Sequence, residues 1–313
     1  TKYSVMVRSG DELKRELEKA YQIATSGRMG PVLIDVPMDV QQADVGEFAD
    51  FVPNPVDDGT EKCDANIVGI AEQVEKFLAT AERPMVLYGA GIGLAGVEEE
   101  VSEWLLGNQI PFVSTWNGMT YFDHDTDSFC GNIGVYGNRG ANFALQNCDA
   151  LLVLGSRLDN RQRSGNSKNF VPFSRVMVMD VDGEELKKYR IHEYEIAQID
   201  FRRLPDVLRR VSSPPVQPVW SDYISDIKER YFDTQDSTFA RRHNTLSPYQ
   251  VVRKINQLVD SDAIVAVDTG ATLCWTFQAF HRKAHTIFTD GGNSAMGYSL
   301  AAAIGAKIEK PEK

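Results

Sequence analysis

Met85–Gly96 reads M-V-L-Y-G-A-G-I-G-L-A-G, a short apolar run that stops at a cluster of glycines. A run of this length is too short for a helix and fits a strand buried on both faces of a parallel sheet. The glycines let the backbone turn tightly and approach a phosphate at a helix N-terminus, and a Glu-rich segment follows them. The same turn also serves as a plain tight connection, so by itself it fixes no ligand. Four further runs share the pattern: Val32–Val36, Leu151–Leu154, Val176–Met179 and Ile264–Val267, each bounded by Gly, Asp or Pro. Helical patterns lie between them. In Asp11–Ala24 the residues Leu13, Leu17, Ala20, Tyr21 and Ala24 recur at helical spacing, with Ser9 or Asp11 as the cap. Alternation of this kind predicts an α/β fold, with parallel sheets flanked by helices.

Two stiff breaks divide the chain. Asp35–Pro55 carries Pro37, Pro53 and Pro55 among acidic and small residues, as an interdomain strap would. Ser212–Pro218 (SSPPVQP) is the second, followed by a polar helix near Trp220–Phe232 and a charged turn at Arg241-Arg242-His243. The expected division is residues 1–52, a central domain at 61–212, a linker at 213–245, and a last piece at 246–313. The outer pieces hold about two strands each, fewer than an open sheet usually needs.

Composition narrows the function classes. Lys+Arg 33 against Asp+Glu 44 leaves a net charge of −11, the wrong sign for non-specific nucleic-acid binding. Cys63, Cys130, Cys148 and Cys274 do not pair at metal-ligand or redox spacing, as expected for reduced thiols in a cytoplasmic protein. The apolar runs are too short to span a membrane, and Thr1-Lys2 opens no apolar signal region.

The strand expected at Pro111–Ser114 ends in Thr115-Trp116-Asn117, without the acidic residue that an NAD site places there for the ribose. Asp180 and Asp182 come after a later strand; two apart in an extended segment, they share a face and could reach ribose hydroxyls. Asp182 also suits a plain helix cap before Glu184–Lys188. Gly155–Arg163 (GSRLDNRQR) places Arg157, Arg161 and Arg163 beside a glycine turn, an arrangement suited to clamping a pyrophosphate.

These segments stand in the order found in thiamine-diphosphate-dependent enzymes of the acetolactate synthase type. Ala24–Val40 (ATSGRMGPVLIDVPMDV) resembles the end of that family's pyrimidine-binding domain. Gly134–Gly137 (GVYG), Ala141–Ala144 (ANFA) and Gly155–Arg161 (GSRLDNR) resemble its FAD-carrying central domain, and Ser247–Gly305 the first half of its diphosphate-binding domain. The resemblance implies one complete central nucleotide-binding domain of FAD/ADP type between two partial thiamine-binding domains.

It also implies sites. The FAD or ADP positions fall on Gly89, Ala90, Gly91, Thr115, Trp116, Asn117, Gly134 and Tyr136, then Gly155, Arg157, Asp159, Arg161, Asp180, Val181, Asp200 and Phe201. Tyr136 stands where acetolactate synthases usually show His. For thiamine diphosphate the positions are Thr269, Gly270, Ala271 and Thr272 in DTGAT, with Ser294 and Met296 in GGNSAMG. Ala271 and Thr272 replace the Gln and His of acetolactate synthases. Met296 would wedge under the cofactor, or would simply fill core. The resemblance places a catalytic Glu upstream of Thr1 and a Mg²⁺-holding Gly-Asp-Gly…Asn segment downstream of Lys313. No catalytic or metal-ligating residue is therefore expected within the chain, which is expected to be a fragment inactive by itself.

The implied activity is decarboxylation of pyruvate and transfer of the two-carbon unit to a 2-oxo acid or keto-sugar, in a homo-oligomer (dimer or tetramer). Another thiamine-dependent decarboxylase or an acyl-CoA lyase is the first alternative. A plain nucleotide-binding module of sirtuin-like shape is the second.

Overall fold

The computed structural model describes residues 1–44, 66–212, 215–231 and 245–313. Pro53, Pro55, Cys63, Ser213, Pro214, Phe232 and the Arg241-Arg242-His243 turn lie outside them. The chain divides into two compact units, Thr1–Asn66 and Ile67–Lys313.

In the first unit, β1 (Tyr3–Met6) and β2 (Val32–Asp35) pair in parallel, joined by the helix Gly10–Thr25. Ser9 is the cap, its hydroxyl accepting the Glu12 amide at 3.2 Å, and Asp11 lies inside the first turn.

The second unit is built on a six-stranded sheet. Its strands are β3 (Pro84–Tyr88), β4 (Phe112–Ser114), β5 (Phe129–Asn132), β6 (Ala150–Leu154), β7 (Arg175–Asp180) and β8 (Glu195–Gln198). All neighbouring pairs are parallel, in the order β5-β4-β3-β6-β7-β8. Counted from its own first strand the sheet runs 3-2-1-4-5-6, the doubly wound order whose direction reverses between its first and fourth strands. β3 and β6 are those two. Every residue of both is buried, which is why they read as unbroken apolar runs. Each buried Leu or Val contributes about 1.5–3 kcal/mol. Helices cover both faces. Val74, Phe77, Leu78, Val101 and Leu105 pack on one side, and Ala141, Ala144, Leu145 and Leu186 on the other.

The linker expected at 213–245 contributes structure of its own. Pro218–Tyr231 is a helix whose Trp220 and Ile224 join the second face's core, and the Trp220 indole donates to the Pro84 carbonyl at 3.0 Å.

A pair of parallel strands, β9 (Ile264–Ala266) and β10 (Thr286–Phe288), lies beyond that helix with the helices Pro248–Leu258, Ala271–Ala279 and Tyr298–Glu309. Met119, from the 3-10 turn Trp116–Tyr121, packs into the core of this last piece with Val252, Val267, Leu273 and Phe277. The seam is polar at its edges. The Asn132 amide donates to the Phe277 carbonyl at 2.6 Å and the Asn138 amide to the Gln278 carbonyl at 3.0 Å. The Gln278 amide in turn donates to the Tyr136 carbonyl at 2.7 Å.

His124 sits in the same seam. Its Nδ1 accepts the Arg282 amide at 3.1 Å while Nε2 lies 3.2 Å from the Met119 carbonyl, which fixes a neutral ring protonated on Nε2. Burial first, and the neighbouring His281 second, push its pKa down to about 3.

Candidate functional site

The parallel sheet gathers the residues expected at a nucleotide site along one edge. Gly89–Gly91 follow the C-terminal end of β3, Thr115–Asn117 that of β4, and Gly134 and Tyr136 that of β5. Gly155–Arg161 follow β6, Asp180 and Val181 close β7, and Asp200 and Phe201 come just after β8. Ligands of open α/β sheets bind at this edge, at the switch point, which here lies between Gly89 and Gly155.

The two glycine turns touch there. The Gly89 amide donates to Leu154 at 2.9 Å and the Gly91 amide to Gly155 at 3.0 Å. A Cβ on Gly89 would lie 2.2 Å from the Gly155 oxygen. These glycines are therefore required by backbone-to-backbone packing, whatever ligand the edge takes. Gly155 has φ +63°, the left-handed region that glycine adopts without strain.

The remaining side chains show what the edge can offer. Trp116 stacks on Tyr136 at 6.1 Å and packs on Phe277 at 5.7 Å, and its buried indole N–H has no partner among the described residues. A donor of that kind suits a ligand acceptor. A cleft of about 60 Å³ is lined by Thr115, Trp116, Asn117, Asp159, Arg161 and Gly291. Such a volume admits roughly two waters, not a flavin ring.

Asp159 caps its own helical turn, accepting the Arg161 amide at 2.8 Å and the Gln162 amide at 3.2 Å. Asp180 accepts the Asp182 amide at 3.0 Å, and Asp182 caps the helix Gly183–Lys187 through the Glu184 and Glu185 amides. The cap, rather than a shared ribose-facing pair, is what the structure shows for Asp182. Asp200 pairs with Arg202. The Phe201 side chain lies in the core, and the Val181 carbonyl accepts from Gln198.

The expected clamp is divided. Arg157 is exposed, and its carbonyl is held by Lys188 Nζ and Tyr189 Oη. Arg161 turns to the other end of the unit, donating to the Gly291 carbonyl at 3.0 Å and to Ser294 Oγ at 3.1 Å. Sequence reading missed this link, since nothing local signals a bond across so long a separation.

The Asp268–Thr272 turn and the Gly291–Gly297 loop are also in contact. The half-buried Asp268 carboxylate accepts the Ser299 hydroxyl at 2.8 Å, the Ser299 amide at 3.2 Å and the Gly297 amide at 3.1 Å. It thereby caps the helix Tyr298–Glu309 from a distant turn. The helix Ala271–Ala279 differs: Gly270, at φ +81°, precedes it, and among the described residues no side chain caps it. The space beside the Gly270 turn is open, since a Cβ there would meet nothing within 4 Å. Met296 is 90% exposed and fills no core formed by the described residues.

Ser299, and then the amides of Ser299, Gly297 and Thr269, hold the Asp268 carboxyl below its ordinary value. A carboxylate with a lowered folded pKa stabilises the fold above its unfolded value and loses that effect as pH falls through the folded one. Asp268→Asn should therefore lower the melting temperature at pH 7. The gap to the native chain should shrink to nothing under acid conditions, as thermal scans across pH will show.

Cys130 and Cys148 are buried thiols, raised to about 12 by burial, and with Cys274 they are free. Among the described residues no group of three His, Cys, Asp or Glu gathers to hold a metal, and no helix is long and apolar enough to cross a membrane.

Comparison with known proteins follows the same division. Residues 71–200 match the thiamine pyrophosphate enzyme central domain, and residues 268–313 match the thiamine pyrophosphate enzyme C-terminal TPP binding domain. The chain is 30% identical over 318 residues to the acetolactate synthase isozyme 2 large subunit of Escherichia coli, covering 99% of this chain and 54% of that protein. It is 30% identical over 323 residues to the acetolactate synthase large subunit of Corynebacterium glutamicum, covering 100% and 50%. Against the probable acetolactate synthase large subunit of Methanocaldococcus jannaschii the identity is 28% over 320 residues. The chain thus spans about half the length of the curated relatives it matches. The two matches, over residues 71–200 and 268–313, place this chain in the thiamine pyrophosphate enzyme family.

Proposed function

We propose that this protein works as a thiamine-diphosphate-dependent carboligase of acetolactate synthase type, joining the two-carbon unit of pyruvate to a 2-oxo acid or keto-sugar. The observation that carries the reading is the contrast between two helix N-termini. Asp268 closes that of Tyr298–Glu309, while that of Ala271–Ala279 keeps its amides for an anion, and such amides with the helix dipole suit a diphosphate. Thr269, Gly270, Ala271 and Thr272 would hold the diphosphate, and the Ser294 carbonyl and Met296 amide would hold the aminopyrimidine. When bound, the cofactor supplies the electron sink for decarboxylation. Mg²⁺ belongs to the same reading as the ion that offsets diphosphate charge. Asp268 already serves Gly297 and Ser299.

FAD in the central domain is the further part of this proposal. The partnerless Trp116 indole suits it, whereas the cleft as it stands does not admit a flavin and Arg161 faces Gly291, so no chemistry is assigned to FAD. A homo-oligomer, dimer or tetramer, and a cytoplasmic location complete the reading. The match over residues 268–313 speaks for a thiamine enzyme over a stand-alone nucleotide-binding module.

Full-length protein given thiamine diphosphate, Mg²⁺ and pyruvate should consume pyruvate and form acetolactate, detected as acetoin after acid treatment. Free acetaldehyde or an acyl-CoA product instead would favour the decarboxylase or lyase alternative. Absence of thiamine-dependent turnover would overturn the proposal. Saturable quenching of flavin fluorescence on titration with FAD tests the second part separately.

A further inference from the structure

Ser294 has φ +55°, in the left-handed region that a residue with a Cβ enters only at a cost. It sits in the middle of the Gly291–Gly297 loop, whose other constraints lie to either side. Before it, the Asp290 carbonyl accepts the Asn293 amide at 3.1 Å and the Ser294 amide at a longer 3.4 Å. After it, Asp290 Oδ2 accepts the Ala295 amide at 2.5 Å and Asp268 accepts the Gly297 amide. These bonds hold the turn on either side, and its left-handed centre receives from them the long bond at the Ser294 amide. Among the described residues the one side-chain bond at Ser294 comes from Arg161 Nη2 to its hydroxyl at 3.1 Å, while Nη1 of the same guanidinium holds the Gly291 carbonyl at 3.0 Å.

Arg161 is itself held firmly at its main chain. Asp159 accepts its amide, and its carbonyl accepts the Val135 amide at 2.8 Å. Gly134, at φ +112°, lets that carbonyl come close, since a Cβ there would lie 2.6 Å from it. The planar guanidinium presents two parallel donors, which a lysine cannot reproduce.

We infer that Arg161 is a positioning residue: a strut from the sheet's C-terminal edge that holds Ser294 in its left-handed conformation and so sets the direction of the Ser294 carbonyl and the Met296 amide. The inference deepens the thiamine reading of this loop, and its significance for the cofactor rests on that reading. The strut itself is a property of the chain alone.

Hydrogen exchange read by mass spectrometry on this chain, without any cofactor, tests the strut. Arg161→Ala should speed exchange across residues 289–299 by at least about threefold, a modest factor for charged hydrogen bonds at an exposed site. Peptides from β3 and β6 should stay unchanged. Arg161→Lys should fall between the two. Adding Ser294→Gly to Arg161→Ala should slow exchange again, because glycine takes a positive φ without support. A purely structural role for Arg161 would give no such rescue. Unchanged exchange in Arg161→Ala, or a double variant no slower than the single one, overturns the inference. Thiamine diphosphate affinity of the full-length protein separates the two layers. It should weaken in Arg161→Ala and recover in the double variant. An affinity indifferent to both, with the exchange pattern as expected, would reject the thiamine reading of the loop and leave the strut standing.

Discussion

Gly89→Ala should cost the chain more than ~3 kcal/mol of stability or prevent the second unit from folding, beyond the usual range for overpacking. The added methyl would lie 2.2 Å from the Gly155 oxygen, 2.5 Å from its carbonyl carbon and 2.7 Å from the Ser156 nitrogen. All three are main-chain atoms, and none can rotate away. Relief would require β3 and β6 to separate at their C-terminal ends, where the Gly89 amide bonds Leu154. Gly107→Ala is the matched control, because a Cβ there meets nothing within 4 Å at the end of the helix Glu98–Gly107. It should be neutral or stabilising by up to ~1 kcal/mol, since alanine loses less backbone freedom on folding. Urea unfolding of both variants measures the contrast, and a Gly89→Ala loss below about 1 kcal/mol would mean that the turns are not in contact.

The second large effect is acid sensitivity from His124. Its folded pKa, about 3, lies below the ordinary value of 6.5, so the unfolded chain binds the extra proton between those limits. Stability from this group is complete above about pH 6.5 and is lost as pH falls toward 3. The slope is about 1.4 kcal/mol per pH unit for one proton, with a ceiling of roughly 4–5 kcal/mol. Around the ring stand His281 at 5.7 Å, the Arg282 amide and Asp125, the last bonded to His281 at 2.6 Å and to Lys283 at 3.3 Å. Denaturant titrations at pH 4 to 7 should show the native chain losing stability more steeply than His124→Gln. Parallel slopes would contradict a buried neutral ring.

What the sequence made legible follows from burial. β3, β6 and β7 lie inside the sheet, and covered on both faces they need apolar residues at every position, so they stand out as runs. β5 and β8 are edge strands, and their residues FCGN and EIAQ carry no such signature. β1 and β10 belong to the two strands expected in each outer piece but have no legible position, because short strands with alternating or partial burial leave little pattern. Within the site, glycines and a strand's end were readable because they answer to local geometry. The bonds from Arg161 to Ser294 and from Asp268 to Ser299 were not, for each joins segments that only the tertiary fold brings together. Asp182 shows the opposite case, a residue whose local capping role was legible and proved to be the role it has.

The seam between the sheet and the last piece has an uneven tolerance for change built into it. Asn132, Asn138 and Gln278 contribute side chains to it, but what they bind are the main-chain carbonyls of Phe277, Gln278 and Tyr136. A carbonyl is supplied by any amino acid. Drift at Tyr136, half exposed, therefore leaves its bond to Gln278 intact, while Asn132 and Asn138 have no substitute of equal reach and donor geometry. Two lineages descended from this chain could diverge freely at the other accepting positions and still exchange these segments as working parts, provided the two asparagines and Gln278 stayed in place.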